Sequence, residues 1–240
     1  MLNWEINLKS WSTRPSMIKM DHLQNELKKE FQLERLILFS DAVFAIAITL
    51  LVIELKIPEI PGQLVTETKL LESLANLIPK FVGFLVSFFI IGLFWTVHHR
   101  MFAYVVNYNR NLLWLNLMFL LFVVLMPFST GFYSEYISYL LITPIVVYVS
   151  NICLIGIMNT FLWRYISNPK NNLVEGLHPL VTRYFMIRSI VMPLIFLLMG
   201  LVYIFIEPKI ALWIPPLVPF ILRAVTARSR RQLKKLQIRF

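Results

Sequence analysis

The sequence predicts an all-α integral membrane protein with six transmembrane helices and both termini in the cytoplasm. Three observations lead there. The 240 residues are 58% hydrophobic and 15% charged, with a mean hydropathy of +0.69, which is more apolar surface than a soluble domain of this length can hide. The apolar residues gather into six runs of near-spanning length, about 33 to 55, 76 to 98, 111 to 131, 138 to 162, 184 to 206 and 210 to 226. Basic connections between those runs alternate with neutral ones.

The first 32 residues carry scattered charge and no apolar core ending in small residues, so no cleavable signal peptide is expected. They read as a cytoplasmic or interfacial N-terminal arm. Lys9, Arg14, Lys19, Lys28, Lys29 and Arg35 precede or open the first run, which places its start inside. After that run, Lys56, Lys69 and Lys80 are balanced by Glu54, Glu59, Glu67 and Glu72. The second run ends at "FWTVHHR", where Arg100 and then Arg110 make the connection basic; the third ends near Glu135. Arg164, Lys170 and Arg183 separate the fourth run from the fifth, and Glu207 with Lys209 separates the fifth from the sixth. The sixth is short and carries Pro215, Pro216 and Pro219, so a bent helix is expected there. Residues 33–226 thus form the membrane domain and 227–240 a basic cytoplasmic tail.

The net charge of +10 follows from this topology. The tail "RAVTARSRRQLKKLQIRF" fits anionic lipid beside the membrane better than nucleic acid. The single cysteine, Cys153, excludes an intrachain disulfide and a cysteine-based zinc site. No cofactor and no metal are expected. The sequence also lacks His-Glu-x-x-His, G-x-S-x-G and a phosphate-binding loop, and nothing in it calls for an enzyme.

The first helix separates two tasks. At about 100° per residue, Arg35, Phe39, Ala42, Ile46, Leu50 and Ile53 form one stripe with Thr49 at its edge. Ser40 and Asp41 point away from it. Periodicity does not distinguish an apolar pore wall from ordinary packing. Asp41 lies six residues deeper than Arg35, and a carboxylate in an apolar run needs a partner. Candidates at matching depth are Trp95, His98 and His99 at the end of the second helix, with Arg35 and Arg100. Asp41 then belongs either to a structural network fixing the first helix on the second, or to a proton relay or pH sensor. A metal site is poorly supported, because adjacent histidines diverge on a helix and no third ligand is placed.

Arg35, Phe39, Ser40 and Asp41, in the pattern R-x-x-x-F-S-D ahead of "AVFAIAITLLVIELKIPE", closely resemble the transmembrane protein 175 family of endosomal/lysosomal-type potassium channels. "FWTVHHRMF" and "YNRNLLWLNLMFLLFVVLMPFST" agree with it. The similarity is specific from about 33 to 130 and looser beyond. One six-helix unit resembles the prokaryotic members, and the resemblance implies a homotetramer in the cell membrane with helix 1 of each copy lining a central pore. It further implies a constriction at Ile46, continued by Leu50 and Ile53, with Thr49 adding a hydroxyl layer. Arg35, Phe39, Ser40, Asp41, Trp95, His98 and His99 would form a network behind that helix. In one departure, Asn109 stands where an acidic residue is expected, which puts an ion pair with Arg110 in doubt.

There is no T-V-G-Y-G filter, and helix 1 has no glycine. Side chains would then do the selecting, giving a potassium channel weakly selective over sodium. The rival readings are a proton-coupled transporter or a proton-conducting channel using Asp41 with His98 or His99. A transporter, however, would want repeated halves, and none is evident.

Overall fold

The computed structural model describes residues 14–58 and 65–237. Among these residues nine α-helices follow one another, with short 3-10 turns and no β-strand beyond a single bridge between Val105 and Val174.

Helix α1, Arg14–Leu50, has 37 residues and is about 55 Å long at 1.5 Å per residue. No glycine or proline falls between Pro15 and Pro58, so nothing interrupts it. It exceeds the hydrocarbon thickness of about 30 Å; its apolar part lies between Arg35 and Glu54. Residues 14–32, expected as a separate arm, are therefore the same helix extended, while residues 1–13 lie outside the described residues. The last turn tightens into a 3-10 helix, Leu51–Glu54.

A short surface helix, α2 (Glu67–Asn76), capped by Thr66, lies in the connection that sequence periodicity left without structure. It buries none of its residues, and with ten residues, among them Glu67, Lys69 and Glu72, it is too short and too charged to span. Helix α3 is Ile78–Phe102, with Pro79 in its first turn and His99 and Arg100 in its last, a placement that suits the helix dipole. The third run is α4 (Arg110–Val124) and α5 (Met126–Tyr136) joined at Leu125. Pro127 lacks an N–H and breaks the ladder there. Lys80 on α3 pairs with Glu135 on α5 at 2.5 Å, so the start of the second span and the end of the third share one face of the bundle.

Helix α6 is Ile142–Ile166 and α7 is Pro179–Phe205. His178 caps α7 through Nδ1, which accepts from the Leu180 N–H at 3.1 Å. With that cap the helix starts before Arg183, and both Arg183 and Arg188 belong to it. Pro193 sits inside α7, and Gly156 of α6 lies against its ring. A β-carbon on Gly156 would stand 2.6 Å from Pro193 Cδ.

After a single turn, α8 (Pro208–Ala211), the chain enters α9 (Ile214–Lys235). Pro215 and Pro216 occupy its first turn, where the missing N–H is tolerated. The basic tail continues this helix as far as Lys235. Among the described residues five helices are long and apolar enough to cross a membrane, Glu26–Glu54, Ile78–Phe102, Arg110–Tyr139, Ile142–Ile166 and Pro179–Phe205; α9 is not one of them, because its second half is basic. It packs along α7 instead.

Candidate pore-lining helix and its polar support

Helix α1 presents two unlike faces. Leu33, Leu36, Ser40, Phe44, Ala47 and Leu51 are buried, at spacings of three and four residues, against α3 and α4. On the other side, Phe39, Ile46, Leu50 and Ile53 are 50, 56, 37 and 66% exposed, and Ala42 and Thr49 are exposed with them. Because residues 51–54 form a 3-10 turn, in which positions three apart eclipse, Ile53 stands directly over Leu50. Thr49 donates its hydroxyl to the Ile46 carbonyl at 2.9 Å on this exposed side.

Ser40 rather than Asp41 occupies the middle of the packed face. Its hydroxyl donates to the Leu36 carbonyl at 2.8 Å and accepts from Asn116 Nδ2 at 2.8 Å. Asn116 Oδ1 in turn meets His98 Nε2 at 2.8 Å. His98 is buried, stacked on Phe102 and Phe119 and tilted against Phe44. Ser40, Asn116 and His98 thereby tie α1, α4 and α3 at one depth. Asn116 is missing from the sequence-based expectation. A lone amide within "LLWLNLMFLL" is the signal that could have identified it, since a buried amide in an apolar run requires partners.

Asp41 sits at the flank of that face. Trp95 Nε1 donates to its Oδ1 at 2.9 Å, and His99 lies against the Trp95 ring with centroids 5.6 Å apart. Neither histidine bonds to Asp41 directly; His98 reaches α1 through Asn116. Arg35 is not part of this cluster: its guanidinium lies over the Phe31 ring at 5.8 Å, on the exposed side with Phe39. The expected set behind the helix thus divides, with Ser40 and His98 buried in the packed face, Asp41, Trp95 and His99 at its more exposed flank, and Arg35 and Phe39 on the open side.

Asn109 caps α4: its Oδ1 accepts from the Leu112 N–H at 2.9 Å and its Nδ2 donates to the Tyr165 hydroxyl at 3.0 Å. Asparagine serves this position as well as an acid would. No group of three or more His, Cys, Asp or Glu side chains that could hold a metal ion occurs among the described residues.

The family described as "Endosomal/lysosomal potassium channel TMEM175" matches residues 35–127, from the second half of α1 to the start of α5. A protein of Chryseobacterium sp. (strain P1-3) named as a potassium channel is 31% identical over 204 residues, 84% of this chain and 97% of that one. The chain belongs to the TMEM175 family. The crystal structure of a TMEM175 homolog from Chamaesiphon minutus, described as a lysosomal potassium-selective channel, superposes with a TM-score of 0.64 at 29% identity and covers 82% of this chain and 98% of that one. A Gallus gallus relative named an endosomal/lysosomal proton channel TMEM175 is 34% identical over 114 residues, 46% of this chain and 23% of its own length. TMEM175 is a membrane channel family and not an enzyme family, and both R-x-x-x-F-S-D and the Asp41–Trp95 pair fall inside the matched region.

Proposed function

We propose that four copies of this chain form a potassium channel of the cell membrane, weakly selective over sodium, in which the open face of α1 lines a central pore. The observation that carries this is the contrast on α1: an apolar face left uncovered by its own chain, backed by a face fixed through hydrogen bonds to α3 and α4. Interhelical hydrogen bonds also hold α3 to α6 and α6 to α7; a helix that must hold a narrow ring around a four-fold axis depends on such support, because a shift of an ångström changes the opening.

Four Ile46 side chains would form the narrowest ring, with Leu50 and Ile53 extending it and Thr49 beside it. Such a ring closes by dewetting and opens when the helices part. An ion crossing it sheds part of its hydration shell, and potassium loses less than sodium by doing so. The exposed Thr49 hydroxyls would offset part of that loss. Backbone carbonyls are unavailable for the task, since α1 is continuous and without glycine.

We further propose that α9 is the sixth span and that both termini are cytoplasmic. Arg188 near the start of α7 and Arg230 near the end of α9 line one cavity, so the two helices run antiparallel over most of α7. No permanent cofactor is required, and potassium is the permeant ion.

The test is ion flux through purified protein in liposomes with potassium, caesium and sodium compared in parallel. Conductive flux with potassium ahead of sodium is expected; saturable, countertransported flux would overturn the channel reading. A proton-conducting channel is the second reading, favoured by Asp41 beside Trp95 and by the name of the Gallus gallus relative. An imposed pH gradient without potassium separates the two.

A further inference from the structure

A groove on the α3–α9 side of the bundle has two chemically distinct ends. One stretch, a cavity of about 460 Å³, is apolar and lies between Val82, Phe89 and Leu93 of α3 and Pro215 and Pro219 of α9. Through Leu93 and Pro219 it continues into a second cavity of about 180 Å³, where Arg188 of α7 meets Arg223 and Arg230 of α9. Arg188 Nη1 donates to the Tyr184 hydroxyl at 3.0 Å. The Nε–H groups of Arg188 and Arg230 are buried without a hydrogen-bond partner. Among the described residues no carboxylate pairs with any of the three arginines. α9 itself carries no acidic residue.

Arg230 also meets the Tyr184 hydroxyl, so the two Nε–H groups are the donors left without an acceptor; buried, they are costly, and a membrane protein meets one abundant acceptor that suits them. We propose that this groove binds one anionic phospholipid, its phosphate held by Arg188, Arg223 and Arg230 and one acyl chain lying between α3 and α9. Guanidinium forks match phosphate oxygens in charge and geometry. From Leu93 to Val82 is about 16 Å along α3, close to the roughly 15 Å depth of one leaflet. Arg223 and Arg230 lie from the middle of α9 onward, in the same stretch as Arg228, Arg231, Lys234 and Lys235, so the charged end of the groove faces the same side as the basic tail. The lipid would fasten α9 to α3 and α7. This inference rests on the membrane placement of the bundle and not on the pore reading, so either can fail alone.

The full chain, purified in neutral detergent, is titrated with phosphatidylglycerol, with phosphatidylcholine of the same acyl chains, and with glycerol phosphate, following the thermal midpoint. Phosphatidylglycerol is expected to raise the midpoint and the other two to leave it nearly unchanged. Arg223→Gln and Arg230→Gln should each weaken the apparent affinity about fivefold, and Val82→Trp should weaken it by obstructing the groove. Lys235→Gln, outside the pocket, should not. Arg188 donates to Tyr184 within α7, so Arg223 and Arg230 carry the test if Arg188→Gln fails to fold. The proposal is overturned by equal responses to both lipids, by glycerol phosphate acting alone, by an equal loss in Lys235→Gln, or by Val82→Trp changing only the size of the assembly, which would mean that a second copy covers the groove.

Discussion

Trp95 holds Asp41 through a single indole hydrogen bond of 2.9 Å, 54 residues apart in sequence and at the edge of the α1–α3 contact. The carboxylate is thus neither ion-paired nor at the centre of the core.

Replacing Trp95 by Phe keeps an aromatic ring for His99 but removes the only indole donor. Thermal stability in detergent should fall by about 1–2 kcal/mol, between a neutral hydrogen bond and one to a buried charged group because the pair is exposed, and Asp41→Ala, which removes the acceptor, should lower it by a similar amount. If both variants melt like the wild type and only the pH dependence of flux changes, Asp41 is a relay rather than a brace.

Asn116 joins Ser40 to His98, so its loss leaves a buried imidazole nitrogen without a partner. Asn116→Leu should cost about 1–3 kcal/mol. Ser40→Ala should cost less, since Asn116 keeps its contact with His98. Melting temperatures of the two variants check the order, and a reversed order would remove Asn116 from the centre of the network.

Gly156 admits the Pro193 ring, and a proline ring yields little. Gly156→Ala should destabilise by about 1–3 kcal/mol through overpacking. Adding Pro193→Ala should restore part of the loss, a coupling that a double-mutant cycle reads directly. Strict additivity of the two changes would show that the contact is loose.

Ile46 is exposed in the single chain, so Ile46→Asn should leave the fold intact while wetting the ring. The potassium-over-sodium flux ratio in liposomes should drop toward one. An unchanged ratio with normal flux would remove Ile46 from the constriction.

The sequence by itself determined the material and the plan: a bilayer protein, runs of spanning length, and a first helix with an apolar stripe opposite its polar residues. These are properties of composition and of the 3.6-residue period, which act within one segment and can be read along it. Tertiary structure alone decided which polar groups meet. Asp41 looked like the group needing interior partners, yet Ser40 took the centre and Asp41 the rim, because their directions differ by about 100° and Asn116 on α4 was there to meet the hydroxyl. Arg35 went to Phe31, and Arg188 and Arg230 were brought together from opposite ends of two antiparallel helices. Such pairings depend on how helices cross, and crossing is set by side chains such as Gly156 and Pro193 that fit one another only once the bundle has formed.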